Sequence, residues 1–328
     1  MQPFHTRMFT RRHATLLLVA LTGAGGALAQ PRFPDRPITF LVPFGAGSAT
    51  DQLARALGQS VTEQTGQQVV VHNMGGASGM LAAQAAARAV PDGHTVLIAT
   101  NTTHAANEHL FRRLPYDPVR DFMPVTGLGK GGMVLVVRAE SPHRSVTELV
   151  ARARQQPGRL SFGSGSASSR LAGEMLKQMT GTEILHVSYR SNPLALTDLL
   201  GGQIDFMFAD TATALPHVRA GRLRGLGVTL QSRRQQLPEV PTIDEAGVRG
   251  YDLGFWFAAY VPTGSPPAVL ARLNELLHAA VRSAPANAFF DSSAIEGWTT
   301  SPDELARFQA TETQKWGRII RAAGIEPE

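Results

Sequence analysis

The chain has 328 residues, 43% of them hydrophobic, with 31 Lys and Arg against 26 Asp and Glu and no cysteine. That length accommodates two domains with sizeable cores, and the lack of cysteine excludes disulfides, a thiol nucleophile and a lipid-modified cysteine anchor. The formal charge of +5 shrinks once residues 1–29 are set apart, because they hold three arginines and no acid; the remaining 28 bases against 26 acids argue against an extended nucleic-acid-binding face.

The N-terminus reads as an export signal. Arg7, Arg11 and Arg12 form a basic region, residues 14–28 an apolar one, and Ala27-Leu28-Ala29 a small-x-small cleavage site. The mature chain is then expected to start at Gln30. The apolar run is too short and too glycine-broken to span a membrane, and no later run is long enough. Thr10-Arg11-Arg12 loosely resembles a twin-arginine signal, and Ala14 stands where a bulky apolar residue is usual, so the general secretory and twin-arginine routes both stay open.

Strand-like and helix-like runs then alternate. Residues 38–42 read as a strand, 51–65 as a helix, 68–72 as a strand and 81–89 as an alanine-rich helix ended by the turn Pro91-Asp92-Gly93. A strand at 96–99 runs into the polar loop Thr100-Asn101-Thr102-Thr103, and another is expected at 133–137. The pattern restarts with a serine-capped helix at 145–155, a strand at 160–163, the loop 164–169, a helix at 171–180, a strand at 184–187, a helix at 193–200 and strands at 204–208 and 223–229. A strand at 255–261 and helices at 266–283 and 302–323 complete the chain. Short apolar strands joined by helices predict an α/β fold with mostly parallel sheets flanked by helices.

The segment from Ile38 to Asp51 is the most informative. An apolar strand ends in Pro43, a loop of small residues follows, and an amphipathic helix begins. Gly45 and Gly47 relax the backbone, and free N–H groups at the helix start suit a carboxylate or a phosphate. An ordinary strand-to-helix turn has the same pattern. Gly45-x-Gly47-x-x-Thr50 is not a dinucleotide fingerprint, since Thr50 replaces the third small residue and the next strand, Val69 to Val71, leads to His72-Asn73 with no acid for a ribose.

Six separate stretches carry a resemblance. They are Arg36-Pro37-Ile38-Thr39-Phe40-Leu41-Val42-Pro43-Phe44 with Gly47 and Asp51; Pro91-Asp92-Gly93-His94-Thr95-Val96-Leu97; Leu114-Pro115-Tyr116-Asp117-Pro118-Val119-Arg120-Asp121-Phe122; Leu196-Thr197-Asp198-Leu199-Leu200-Gly201-Gly202-Gln203; Pro238-Glu239-Val240-Pro241-Thr242-Ile243-Asp244-Glu245-Ala246-Gly247; and Trp256-Phe257 with Pro262-Thr263-Gly264-Ser265-Pro266-Pro267. In this order, behind a signal peptide, they resemble the Bordetella uptake gene (Bug) family, the extracytoplasmic solute receptors of tripartite tricarboxylate transporters. The resemblance covers essentially the whole mature chain. It implies a two-lobed, type II-like periplasmic-binding fold: lobe 1 from 30–131, lobe 2 from 132–250, and a return to lobe 1 over 251–328. It implies capture of a small organic acid between the lobes and transient delivery to membrane transporter subunits, by a periplasmic monomer with no cofactor, no metal and no membrane anchor.

The family's two cleft loops map onto residues 44–51 and 164–170. The implied ligand-binding residues are Phe44, Gly45, Ala46, Gly47, Ser48, Thr50 and Asp51 in the first; Ser164, Gly165, Ser166, Ser168 and Arg170 in the second; and Thr102, Tyr189 and Asp210 beside them. The second loop departs from the family pattern. It is about two residues shorter, and Arg170 replaces a histidine. Arg170 either grips a carboxylate through its guanidinium fork or pairs with Glu174 one turn on.

Enzyme readings lack a motif. There is no GxSxG elbow and no HExxH, and Asp117, Asp121, Asp198 and Asp205 read as caps, turns or surface charges. His186 reads as a sheet histidine. Trp256 and Phe257 read as hinge or core aromatics, one of which could floor a cleft. The expectation is a receptor without catalytic residues. A sensory receptor for a membrane kinase and a periplasmic enzyme on the same fold remain the alternatives.

Overall fold

The computed structural model describes residues 1–2 and 33–328. All but the first two residues of the expected export segment, with its cleavage site, lie outside them. The strands are β1 (Ile38–Val42), β2 (Val69–Asn73), β3 (Thr95–Thr100), β4 (Phe122–Arg138), β5 (Ser161–Ser164), β6 (Leu185–Ser188), β7 (Phe206–Asp210), β8 (Leu223–Val228), β9 (Gly254–Pro262) and β10 (Glu296–Gly297). The helices are α1 (Ala49–Thr65), α2 (Met80–Ala87), α3 (Asn107–Leu110), α4 (Val146–Gln155), α5 (Ala167–Thr180), α6 (Asn192–Leu200), α7 (Thr211–Arg219), α8 (Pro267–Val281), α9 (Ala284–Ser293) and α10 (Pro302–Ala322).

Two sheets share one strand. The first runs β2-β1-β3-β9-β4, with β10 also on β4; the second runs β6-β5-β7-β4, with β8 on the other side of β4. In the first sheet β1 pairs in parallel with β2 and β3, and β9 is inserted antiparallel between β3 and β4. In the second β5 pairs in parallel with β6 and β7, and the end of β4 is inserted antiparallel between β7 and β8. Each sheet thus receives, beside its three parallel strands, the strand that has just crossed from the other. This is the two-lobed, type II-like periplasmic-binding architecture.

The 17-residue β4 passes from one sheet to the other through Gly127, Gly129, Gly131 and Gly132. Only its last third, Met133 onward, reads as a strand in sequence. The part before it looks like a loop because its apolar residues are interrupted by glycines. Those glycines make room for neighbours: a Cβ on Gly127 would overlap the Trp298 ring, and one on Gly131 would lie 2.7 Å from Phe255.

Burial follows the sheet pattern. Ile38, Phe40 and Val42 of β1 and Val96 to Ala99 of β3 are fully enclosed, as parallel strands covered on both faces require. α1 lays Leu53, Ala54, Leu57 and Val61 on that core. α10 starts with a capping box, Ser301 with Glu304, and buries Leu305, Trp316 and Ile320. The expected polar loop after β3 is instead a helical turn, a π-type segment over Thr102–Ala106 continuing into α3. Two further helices go unread in sequence: α7 carries Pro216 inside it, and α9 follows α8 after only two residues.

Candidate functional site

In both sheets the parallel strands end toward the same gap. A cavity partly open to solvent lies there, bordered by residues of both lobes. Lobe 1 contributes Phe44, Ser48, Ala49 and Thr50 after β1, and Thr100, Asn101 and Thr102 at the end of β3. Lobe 2 contributes Gly165, Ser166 and Ser168 after β5, Asn192 at the start of α6, and Asp210 at the end of β7. The crossing strands supply Met133, Phe255 and Phe257.

The first loop is held from below by its own carboxylate. Ser48 caps α1 by accepting from Asp51 N at 3.3 Å. Asp51 in turn accepts from Gly47 N at 2.9 Å and from Arg55 Nε at 3.1 Å. Burial alone would raise the Asp51 pKa, but the hydrogen bonds from Arg55, Gly47 and Asn73 outweigh it and hold the carboxyl below its usual range. Asn73 Nδ2 also donates to Phe44 O at 3.1 Å, tying the loop to β2. The N–H groups of Ala49 and Thr50, in the first helical turn, have no partner within the helix, and both residues border the cavity.

The second loop is held by hydroxyl and amide groups, with the Asp210 carboxyl behind them. Ser166 caps α5 by accepting from Ser169 N at 3.2 Å, and Ser169 Oγ donates to Phe208 O. Gly165 N donates to Asn192 Oδ1 at 2.9 Å, and Asn192 Nδ2 donates to Asp210 Oδ2 at 3.0 Å. Asp210 Oδ1 accepts from Thr213 N at 3.0 Å, capping α7. Asp210 is 8% exposed. Burial pushes its pKa up, and the hydrogen bonds from Asn192 and Thr213 only partly oppose that. Behind the loop, Ser164 Oγ meets His186 Nε2 at 2.7 Å. Burial first, and Arg170 second, push the His186 pKa down to about 4.

The two lobes touch across the cavity. Asn101 Nδ2 donates to Ser168 Oγ at 2.7 Å, while Asn101 Oδ1 accepts from Trp256 N at 3.4 Å. Gly45 faces Ser191 so closely that a Cβ on it would lie 3.2 Å from Ser191 Oγ.

Of the residues expected from sequence, Phe44, Ser48, Thr50, Thr102, Gly165, Ser166, Ser168 and Asp210 border this cavity together. Gly45, Ala46, Gly47, Asp51, Ser164, Arg170 and Tyr189 are not among its lining residues. Gly47 spends its N–H on Asp51, Ser164 turns to His186, and the Tyr189 hydroxyl donates to Asp198 Oδ2 at 2.8 Å. Arg170 Nη1 reaches Glu328 Oε1 at 2.6 Å, whereas Glu174 pairs with Lys177 at 2.7 Å. The Arg170 partner is therefore 158 residues away in sequence, where helical spacing gives no hint of it.

The sequence reading misses Ala49, Thr100, Asn101, Met133, Asn192 and Phe255, and it leaves open whether Trp256 or Phe257 floors the cleft; Phe257 lines it. Strand alternation could have found the aromatic pair. Phe255 and Phe257 share one face of β9, and Trp256 between them points the other way, 2% exposed and donating to Glu312. Asn192, next to Ser191 and Pro193, carries the signature of a helix start. Among the described residues no cluster of three or more His, Asp or Glu could hold a metal ion, and no helix is long and apolar enough to cross a membrane.

The family model described as "Tripartite tricarboxylate transporter family receptor" matches residues 53–325. A curated protein of Pseudomonas sp. (strain P51), "UPF0065 protein in tcbD-tcbE intergenic region", is 37% identical over 94% of this chain and 92% of its own length. Among solved structures, "R. palustris Rpa4515 with adipate" superposes with a TM-score of 0.87 at 34% identity, covering 90% of this chain and all of that one. "Structure of periplasmic binding protein BugD" gives the same TM-score at 29% identity over 90% of this chain and all of that one.

Proposed function

This chain belongs to the tripartite tricarboxylate transporter receptor family, and from that membership we propose that it is an exported, periplasmic solute receptor that captures a small carboxylate between its lobes and hands it to membrane transporter subunits. One observation carries the reading. Two serine-capped helix starts, α1 from lobe 1 and α5 from lobe 2, border a single cavity, and the Asn101–Ser168 hydrogen bond joins the lobes beside them. Each helix start offers partial positive charge and unpaired N–H groups. A carboxylate between them engages both lobes at once, so its binding free energy is the difference that favours closure. Among the described residues no Lys or Arg lines the cavity, and preorganised neutral donors are sufficient to hold an oxyanion. The adipate named for the relative is an acid of this kind.

The role of each residue follows from its place. Ser48 and Ser166 orient the helix starts, Thr50, Thr102 and Ser168 add hydroxyl donors, and Phe44, Phe255 and Phe257 exclude water. Native mass spectrometry of the purified protein, followed by isothermal titration of organic acids, tests the reading. An acid binding with one-to-one stoichiometry, and a smaller radius of gyration in its presence, are expected. Asn101→Ala should weaken that binding by about 1–2 kcal/mol, as loss of one buried lobe-to-lobe hydrogen bond. Turnover of the acid without a transporter, or no binding by any acid, would overturn the proposal.

A further inference from the structure

Resting on the receptor reading above, we propose that the ligand is a carboxylic acid whose second polar group is a hydrogen-bond donor, hydroxyl or ammonium, carried on an apolar body, and that Asp210 receives that donor. Among the described residues, Asp210 is the only one bordering the cavity whose side chain is an acid or a base. It sits at the start of α7, so a helix terminus that would otherwise serve an anion is already occupied by the chain's own carboxylate. Its two oxygens accept one bond each from Asn192 Nδ2 and Thr213 N, and a carboxylate has capacity for more. A ligand donor completes that shell. A second ligand carboxylate brings no donor to that shell and meets a like charge wherever Asp210 is ionised.

The body between the polar ends is set by the crossing strands. Met133 stands directly opposite Asp210 in the β4–β7 register. Phe255 and Phe257 line the cavity from β9. These side chains offer apolar surface and no donor, so an acid with polar groups along its middle would lose hydration there without replacement.

Two matched series test the proposal by isothermal titration. The first is hexanoate, 6-hydroxyhexanoate, 6-aminohexanoate and adipate; the second is benzoate, 4-hydroxybenzoate, 4-aminomethylbenzoate and terephthalate. In the better-bound series the hydroxy or amino acid should bind about tenfold tighter than both the plain acid and the diacid. The better of those two arms distinguishes a hydroxyl from an ammonium. Asp210→Asn and Asp210→Ser both keep a residue suited to capping α7, and either should abolish most of the preference over the diacid. A diacid that binds tightest to the unaltered protein overturns the proposal while leaving the receptor reading intact. An unchanged preference in both variants does the same. Absence of binding by every acid in both series and in the wider organic-acid panel overturns the receptor reading, and this proposal with it.

Discussion

The two cleft loops solve one problem by different means. Each ends a parallel strand, starts a helix with a serine cap and borders the cavity. The loop before α1 is braced by an ion pair: Asp51 gathers Gly47 N–H and Arg55 beneath it and is held ionised. The loop before α5 is braced by contact instead. Gly165 lies against the backbone of Ser191 and Asn192, with Asn192 as the hydrogen-bonded strut. An anion site can therefore be kept rigid by a charge placed behind it or by backbone packed against backbone. The two should fail differently under mutation and under acid.

The largest contrast is expected at the glycines. A Cβ on Gly165 would overlap the Ser191–Asn192 backbone, and no rotamer relieves that. Gly165→Ala should destabilise the fold by about 3 kcal/mol and disrupt ligand binding. Gly47 has a φ of +78° but open space around it, so Gly47→Ala should cost only about 1 kcal/mol of backbone strain. Denaturant unfolding of both variants measures the difference, and equal costs would erase the distinction between the loops.

Acid separates the lobes next. His104 in lobe 1 is fully enclosed between Phe122 and Tyr260, and burial lowers its pKa to about 3. The unfolded chain takes up this proton below about pH 6.5 and the folded one does not. The stability contributed by the neutral ring is thus complete above that pH and is lost as pH falls toward 3, by about 2 kcal/mol at pH 5. His186 behind the second loop is lowered only to about 4, so its loss runs in the same direction, matches that of His104 down to about pH 5 and stops growing about one pH unit sooner. Unfolding at pH 7, 5 and 3.5 should show His104→Phe and His186→Phe removing comparable shares of the sensitivity down to pH 5, and His104→Phe removing the larger share below pH 4; the reverse order below pH 4 would break the comparison.

Arg170 gives the smallest expected effect. It joins α5 to Glu328, whose backbone N–H donates to Leu110 O and whose carbonyl accepts from Arg112 N. The pair thus links the back of the second loop to lobe 1 through an acid that is more than half exposed. Arg170→Ala should change ligand affinity by at most about 1 kcal/mol. A loss well beyond that, measured by titration, would place the guanidinium on the ligand and make the two loops unequal in charge.

Much of this was legible where local pattern and tertiary role agree. The strand Ile38–Val42 and the helices that start beyond Ser145 and Ser301 follow directly from apolar runs and caps. Small hydroxyl residues after strands pointed to both cleft loops. What stayed hidden depends on partners distant in sequence. The part of β4 before Met133 needs glycine for the rings above it, so it looks like a loop. Asn101 and Ser168 are 67 residues apart, and neither has meaning for the cleft without the other. Gly47 and Ser164 look like ligand contacts because they are small and well placed, yet their polar groups already have partners inside their own lobes.

The shared strand also orders the folding of the chain. Lobe 2 is built from consecutive residues, whereas the first sheet receives its inserted strand, β9, only after the whole of lobe 2 has been passed. Until Gly254–Pro262 arrives, β3 and β4 have no common neighbour, and the edges of both lie open. Such long-range closure is slow and exposes unpaired strand to other chains. Lobe 2 has the strands of its sheet from one continuous segment, whereas lobe 1 needs the C-terminal quarter to complete its own. The β3 edge is thus the one whose partner lies furthest along the chain, and a substitution that weakens the β3–β9 pairing is expected to raise aggregation during refolding more than one in lobe 2.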